Sequence, residues 1–102
     1  MGMDRPVRMS LQTLRVLEAF LENPRGEFAG SDLQKRSGIA SGTLYPILLR
    51  LESAGWFLSR WENIDPAQAG RPRRRFYRLT PTGLARATEA FACLSFGRGL
   101  PA

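Results

Sequence analysis

In 102 residues the chain carries 15 basic side chains against 9 acidic ones, a formal net charge of +6, with no His and one Cys. That inventory excludes an intrachain disulfide, a four-ligand zinc site built from thiolates and imidazoles, and any Ser-His or Cys-His nucleophile pair. The length suits one domain with a modest core, 43% hydrophobic content is that of a globular chain, and the basic excess favours a polyanionic partner.

Residues 1–9 read as a flexible basic arm with Arg5 and Arg8, where Pro6 discourages helix. Neither an apolar signal segment nor an apolar run near the ~20 residues of a membrane span occurs, so a reducing, cytoplasmic setting without a membrane partner is expected. Ser10 offers an N-cap to a first helix, in which Leu11, Leu14, Leu17, Phe20 and Leu21 recur at helical spacing until Asn23-Pro24 stops it. A second, shorter helix is predicted from Ser31, where Ser31-x-x-Gln34 has the form of a capping box, to Ser37-Gly38. The turn Gly38-Ile39-Ala40 leads into Ser41, the predicted cap of a third helix. Its Leu44, Ile47, Leu48 and Leu51 fall on one face, and Ala54-Gly55 ends it. Helix, tight Gly-containing turn and helix make the helix-turn-helix pattern.

The pattern then changes from period 3.6 to strand chemistry. Trp56 to Trp61 suits a strand, residues 62–70 carry turn residues, and Arg75 to Leu79 suits a second strand, which predicts a hairpin with a long, mobile tip. Thr80-Pro81 places an N-cap before a Pro at the first helical position, opening a final helix over 81–94 that is followed by a flexible tail, 95–102. The predicted fold is α+β, mainly α: a winged helix-turn-helix in the order α-α-α-β-β-α, occupying residues 10–94.

Chemistry concentrates in the hairpin, where five of the eight residues from Arg71 to Arg78 are arginine and none is acidic. Guanidinium groups so close repel one another and carry five donors each, so they call for acceptors; their forked geometry matches phosphate oxygens. Beside a helix-turn-helix such a run is a nucleic-acid-binding wing. Arg73, Arg74 and Arg75 are its candidate phosphate contacts, and Arg71, next to Pro72, is the candidate tip entering a minor groove. On the third helix only Ser41, Thr43, Tyr45 and Arg50 are suited to read or flank base edges, with Pro46 and Leu49 as apolar neighbours. Lys35 and Arg36 lie on the second helix, which crosses the phosphate backbone in this motif.

The segment Ser41-Gly42-Thr43-Leu44-Tyr45-Pro46-Ile47-Leu48 with Arg50-Leu51-Glu52 and Gly55, the Gly70-Arg71-Pro72-Arg73-Arg74-Arg75-Phe76-Tyr77 wing and Leu79-Thr80-Pro81-Thr82-Gly83 closely resemble the PadR family of bacterial transcriptional regulators. The likeness covers roughly residues 10 to 94. It implies a DNA-binding repressor rather than an enzyme, DNA contact for Tyr45, and response to a small, often aromatic effector, for which Trp56, Trp61, Phe91 and Phe96 are candidate stacking surfaces. The residues alone leave open whether the Tyr45 ring instead packs on the first or second helix.

The last helix carries Leu84, Ala87, Phe91 and Leu94 at 3-4-3 spacing, a short seam that either covers the domain's own core or meets a second copy. Together with Leu14 and Leu21 of the first helix these are the candidate homodimer contacts, since the resemblance implies dimerisation through terminal helices. With no further helical domain following, the chain looks like a compact branch of the family. A dimer would present two recognition helices to half-sites about one helical turn apart, hence a pseudo-palindromic double-stranded DNA operator. No cofactor or metal is expected. Cys93 reads as a buried, inert thiol, with a redox sensor as the alternative were it exposed. The nearly uncharged third helix keeps a second reading open, a winged-helix interaction module whose basic face binds an acidic protein.

Overall fold

A computed structural model describes residues 9–99, with side chains through residue 93. Residues 1–8 of the expected arm, Arg5 and Arg8 included, and the side chains of Leu94 and Phe96 lie outside the described residues.

Helix α1, Leu11–Leu21, starts where the sequence places it. The Ser10 hydroxyl accepts from the Thr13 amide at 3.1 Å and shares a 3.0 Å hydrogen bond with the Thr13 hydroxyl. This supplies one of the acceptors that a free helix start lacks. Val16, Leu17, Ala19 and Phe20 point into the core. A two-residue strand, β1 (Phe28–Ala29), leads directly into α2, Gly30–Ser37. Gly38, at φ 74°, closes α2 in the left-handed conformation that favours glycine. The Ser37 hydroxyl donates to the Leu33 carbonyl (2.6 Å) and accepts from the Ile39 amide (3.2 Å), turning the chain into α3, Ser41–Ser53.

Strands β2 (Phe57–Trp61) and β3 (Arg75–Leu79) form the wing hairpin, with a one-turn helix, α4 (Pro66–Ala69), in the connection. The sheet order is β1-β3-β2, all antiparallel, with Phe28 opposite Tyr77 and Ser59 opposite Tyr77 on the other side. Helix α5, Pro81–Gly99, follows.

One core lies between α1, α2, α3 and the sheet. It is built from Leu17, Phe20, Leu33, Leu44, Leu48, Leu51 and Phe57, each buried. Phe20 is its aromatic centre, edge-on to Phe28 (centroids 5.1 Å apart) and tilted against Phe57 (4.5 Å). Burying a side chain of that size stabilises the fold by about 2–3 kcal/mol.

The winged helix-turn-helix is as expected, with corrections to its parts. A third strand, β1, makes the order α-β-α-α-β-α-β-α among the described residues. Because β1 delivers extended backbone straight into α2, the cap of that helix is Ala29 rather than Ser31, and the Asp32 carboxylate, not Gln34, reaches back to the Ala29 amide (3.2 Å). The cap of α3 is Ala40, one residue before the expected Ser41, and it offers no side-chain acceptor. Helix α5 continues to Gly99, past the expected end at Leu94. The 62–70 tip, expected to be mobile, contains α4, whose first turn is held by the Asp65 carboxylate accepting from the Ala67 amide (3.0 Å).

Candidate nucleic-acid interface

The amphipathic pattern of α3 decides what its other face presents. With Leu44, Ile47, Leu48 and Leu51 buried, Ser41, Gly42, Thr43, Tyr45, Pro46, Leu49 and Arg50 are exposed. No side chain caps the helix: the Thr43 amide donates to the Ala40 carbonyl (3.0 Å), while the Ser41 and Gly42 amides and the positive end of the dipole stay open, an arrangement that suits an anion. Pro46 sits in the second turn, inside the helix, where it has no amide to donate to the Gly42 carbonyl four residues back.

Tyr45 is 43% exposed, and its ring packs across the start of α2. A Cβ added to Gly30 would lie 2.0 Å from the Tyr45 hydroxyl oxygen, so the first residue of α2 must be glycine for the phenol to rest there. The two readings of Tyr45 thus combine: one side of the ring braces α2 while the residue remains solvent-facing. Gly30→Ala is expected to eject the phenol at a cost of about 1 kcal/mol. In a Tyr45→Ala background the same change should be close to neutral, a difference that denaturant titration of the four proteins of the cycle measures directly.

The structure divides the wing arginines into two groups. Strand alternation puts Arg75, Tyr77 and Leu79 on the core-facing side of β3. Arg75 therefore turns inward: its Nε donates to the Ser59 hydroxyl (3.0 Å), its guanidinium lies 3.8 Å from the Glu52 carboxylate and 4.9 Å over the Trp61 ring. Ser59 in turn donates to Glu52 at 2.5 Å, so the end of α3 is tied to both wing strands. Burial pushes the neighbouring Tyr77 phenol above its ordinary pKa.

Arg71, expected as the groove-entering tip, is a strut instead. Its guanidinium holds the Glu62 carboxylate through two bonds (2.7 and 2.9 Å), and the same carboxylate accepts from the Arg74 amide (3.1 Å). Arg73 is anchored only by Nε, which donates to the Ile64 carbonyl (3.0 Å), and Arg74 carries no side-chain hydrogen bond or ion pair among the described residues. Both are exposed. The outward cations of the tip are thus Arg73 and Arg74, while Arg71 and Arg75 build it.

The Arg71 bonds, with the Arg74 amide, hold the Glu62 carboxyl down at about 2, against an ordinary 4.5. A depressed carboxyl pKa stabilises the folded wing fully above about pH 4.5, and the contribution fades as pH falls toward 2. A carboxyl-carbon NMR titration of Glu62 is expected to show a midpoint near 2, and a midpoint in the ordinary range would mean that the clamp is not formed in solution.

Elsewhere the basic residues differ in the same way. Lys35 and Arg50 are exposed without a hydrogen bond or ion pair among the described residues. Arg36, expected beside Lys35 as a phosphate contact, leans back onto the Phe28 ring (4.7 Å) and toward Glu22 (3.7 Å). Arg60, which the sequence reading passed over, is locked to Glu27 by two bonds of 2.8 and 2.7 Å, and that pairing lowers the Glu27 pKa. Of the expected dimer contacts, Ala87 is fully enclosed in the chain's own core, because one stripe of α5 covers α1. Cys93, expected to be buried, is exposed. Leu84 is 38% exposed, Leu14, Leu21 and Phe91 are half-buried, and Leu11 of α1 is 64% exposed. Among the described residues no group of three or more potential ligands is placed to hold a metal, and no helix is long and apolar enough to cross a membrane.

A helix-turn-helix followed by a two-stranded, arginine-tipped wing defines a winged-helix regulator. The transcriptional regulator PadR-like family matches residues 29–89, and the chain belongs to that family, whose members are transcriptional regulators. A PadR family transcriptional regulator from Eggerthella lenta is 32% identical, with a TM-score of 0.65 over 87% of this chain and 82% of that one. The transcriptional repressor BigR from Xylella fastidiosa is 26% identical, with a TM-score of 0.59 over 91% of this chain and 80% of its own. Bordetella bronchiseptica BpsR, whose DNA binding is regulated by 6-hydroxynicotinic acid, shares the fold at 20% identity, with a TM-score of 0.63 over 98% of this chain and 74% of its own. No curated protein matched the chain.

Proposed function

We propose that two copies of this chain form a dimeric repressor that binds a pseudo-palindromic double-stranded operator and is released by a small aromatic effector. The observation that carries the reading is the division of the basic residues. The uncapped start of α3 with Ser41, Thr43 and Tyr45, the Arg50 of its last turn, and the outward Arg73 and Arg74 of the wing belong to one braced unit. Base readout by α3 is sparse, so affinity rests mainly on phosphates, with Lys35 adding to them. The exposed apolar side chains of Leu11 and Leu84, with the half-buried Leu14 and Phe91, supply the self-association surface of α1 and α5. Regulation of BpsR by 6-hydroxynicotinic acid and the repressor role of BigR support the effector and the direction of control.

The test is titration of the purified protein into labelled DNA from upstream of its own gene, beside a shuffled duplex, at several salt concentrations. With some six phosphates neutralised per dimer, log affinity is expected to fall against log salt with a slope of about −5. Selective, salt-steep binding supports the operator reading. Equal, weak binding to both duplexes would favour the acidic-protein partner, which the basic face carrying Lys35, Arg73 and Arg74 would then meet.

A further inference from the structure

Trp61, the last residue of β2, is 58% exposed although it is one of the largest apolar side chains in the protein. Indoles are seldom left so open without a partner. One face of the ring is already occupied by the Arg75 guanidinium, 4.9 Å from the ring centre, and Arg75 is itself fixed by Ser59. The indole is thus a rigid plate keyed through Ser59 and Glu52 to the end of the recognition helix.

With Pro66, Pro72 and Arg73, Trp61 lines an open groove of about 420 Å³ on the wing. Its walls are held in place on both sides. Pro66 begins the Asp65-capped α4, and Pro72 follows Arg71, which is clamped to Glu62. Arg73 donates only its Nε to the protein, to the Ile64 carbonyl, so its terminal amino groups retain donors for an acceptor at the groove's edge. No carboxylate lines the groove.

We propose that this groove receives one sugar-phosphate unit of bound DNA, with the deoxyribose against Trp61 and the two prolines and the phosphate at the Arg73 guanidinium. The inference rests on the DNA-binding reading above and adds an apolar, shape-reading contact to a wing otherwise understood through its arginines. Charge complementarity selects the occupant: the lining combines three apolar rings with one cation. A nucleic-acid strand alternates an apolar sugar face with an anion at the spacing of one nucleotide, so it satisfies both parts at once.

The experiment uses a fluorescein-labelled duplex from upstream of the gene, with anisotropy reporting binding. Trp61 emission is read in a Trp56→Phe protein, in which it is the sole tryptophan, and unlabelled duplex is used for that reading. Binding is expected to shift and quench Trp61 emission. Trp61→Ala should weaken binding roughly tenfold at constant salt without changing the salt slope, because an apolar contact releases no counterion. Trp61→Phe should recover most of that loss, and Arg73→Ala should reduce the slope of the dimer by about two, one contact from each subunit. Should Trp56→Phe fail to fold, the Trp61→Ala and Trp61→Phe affinities in the otherwise unchanged protein decide alone. Full-strength binding by Trp61→Ala, while the duplex still binds the unsubstituted protein, would overturn the groove assignment. Sodium benzoate moving Trp61 emission as far as the duplex does would reassign the groove to a free aromatic anion. Failure of the unsubstituted protein to bind any duplex would instead overturn the DNA reading on which the assignment rests.

Discussion

Replacing Arg73 and Arg74 together with alanine is expected to weaken DNA binding by roughly a hundredfold and to flatten the salt slope of the dimer by roughly 3 to 4, since two charges are lost from each of its two subunits. Both predictions follow from what the two side chains lack. Each is exposed, and neither guanidinium is neutralised by a carboxylate at ion-pair distance among the described residues, so each arrives at the DNA as a full counterion-releasing charge. Arg71 and Arg75 make the informative contrast, since one is bound to Glu62 and the other lies beside Ser59 and Glu52. Alanine at either position should lower affinity through loss of wing shape while leaving the slope close to that of the parent. A set of four single variants measured at several salt concentrations separates the two groups. Equal slope changes in all four would mean that the intramolecular pairs open on DNA and that charge count, not wing geometry, controls binding.

Gly83→Ala is expected to be the most damaging conservative change in the protein. A Cβ there would stand 2.0 Å from the Trp56 carbonyl oxygen and 2.8 Å from its carbon, both backbone atoms that cannot rotate away. The contact belongs to a tightly bonded seat for α5. The Trp56 carbonyl accepts from the Thr80 amide at 2.9 Å, the Thr80 hydroxyl donates to the Gly55 carbonyl at 2.7 Å, and the Gly83 amide donates to that hydroxyl at 2.8 Å. Relief of the overlap requires α5 to lift from the turn after α3, which breaks these bonds and exposes Ala87. The loss of stability is expected to be roughly 3 kcal/mol, read by chemical denaturation. Gly42→Ala serves as the control. Nothing lies within 4 Å of the added carbon, and alanine's better helix propensity should leave stability unchanged or improve it by up to about 1 kcal/mol. Equal stabilities for Gly83→Ala and the parent would show that α5 is not seated on Trp56 in solution.

These two residues also mark the boundary between what is written locally and what is not. The motif Leu79-Thr80-Pro81-Thr82-Gly83 announces a helix start from its cap and its proline. Why its last position is glycine becomes clear only from the Trp56 carbonyl, a group from a different element. Gly30 repeats the lesson, since the ring that excludes a larger residue comes from α3.

By itself the sequence determined the elements whose signals lie within a few residues of one another: the Ser10 cap and periodic apolar face of α1, the buried stripe of α3, the two wing strands, the start of α5, and the combination of motifs that identifies the family. It could not show β1, because two residues have no periodicity and Phe28-Ala29 is a strand only through pairing with Tyr77 and Phe76 of β3. Nor could it divide the arginines. Seen as a run, Arg71 to Arg75 looks like one patch of equivalent charges. Folding brings Glu62 to Arg71, Glu52 and Ser59 to Arg75, and leaves Arg73 and Arg74 facing out. The same holds for Ala87, turned inward by the packing of α5 on α1, and for Trp61, left exposed although its composition favours a core. Local hydrogen bonding and hydrophobic period reside in consecutive residues, so they are legible there. Which charge is neutralised and which apolar surface is covered depends on contacts between residues far apart in the chain, and those exist only once the tertiary structure has formed.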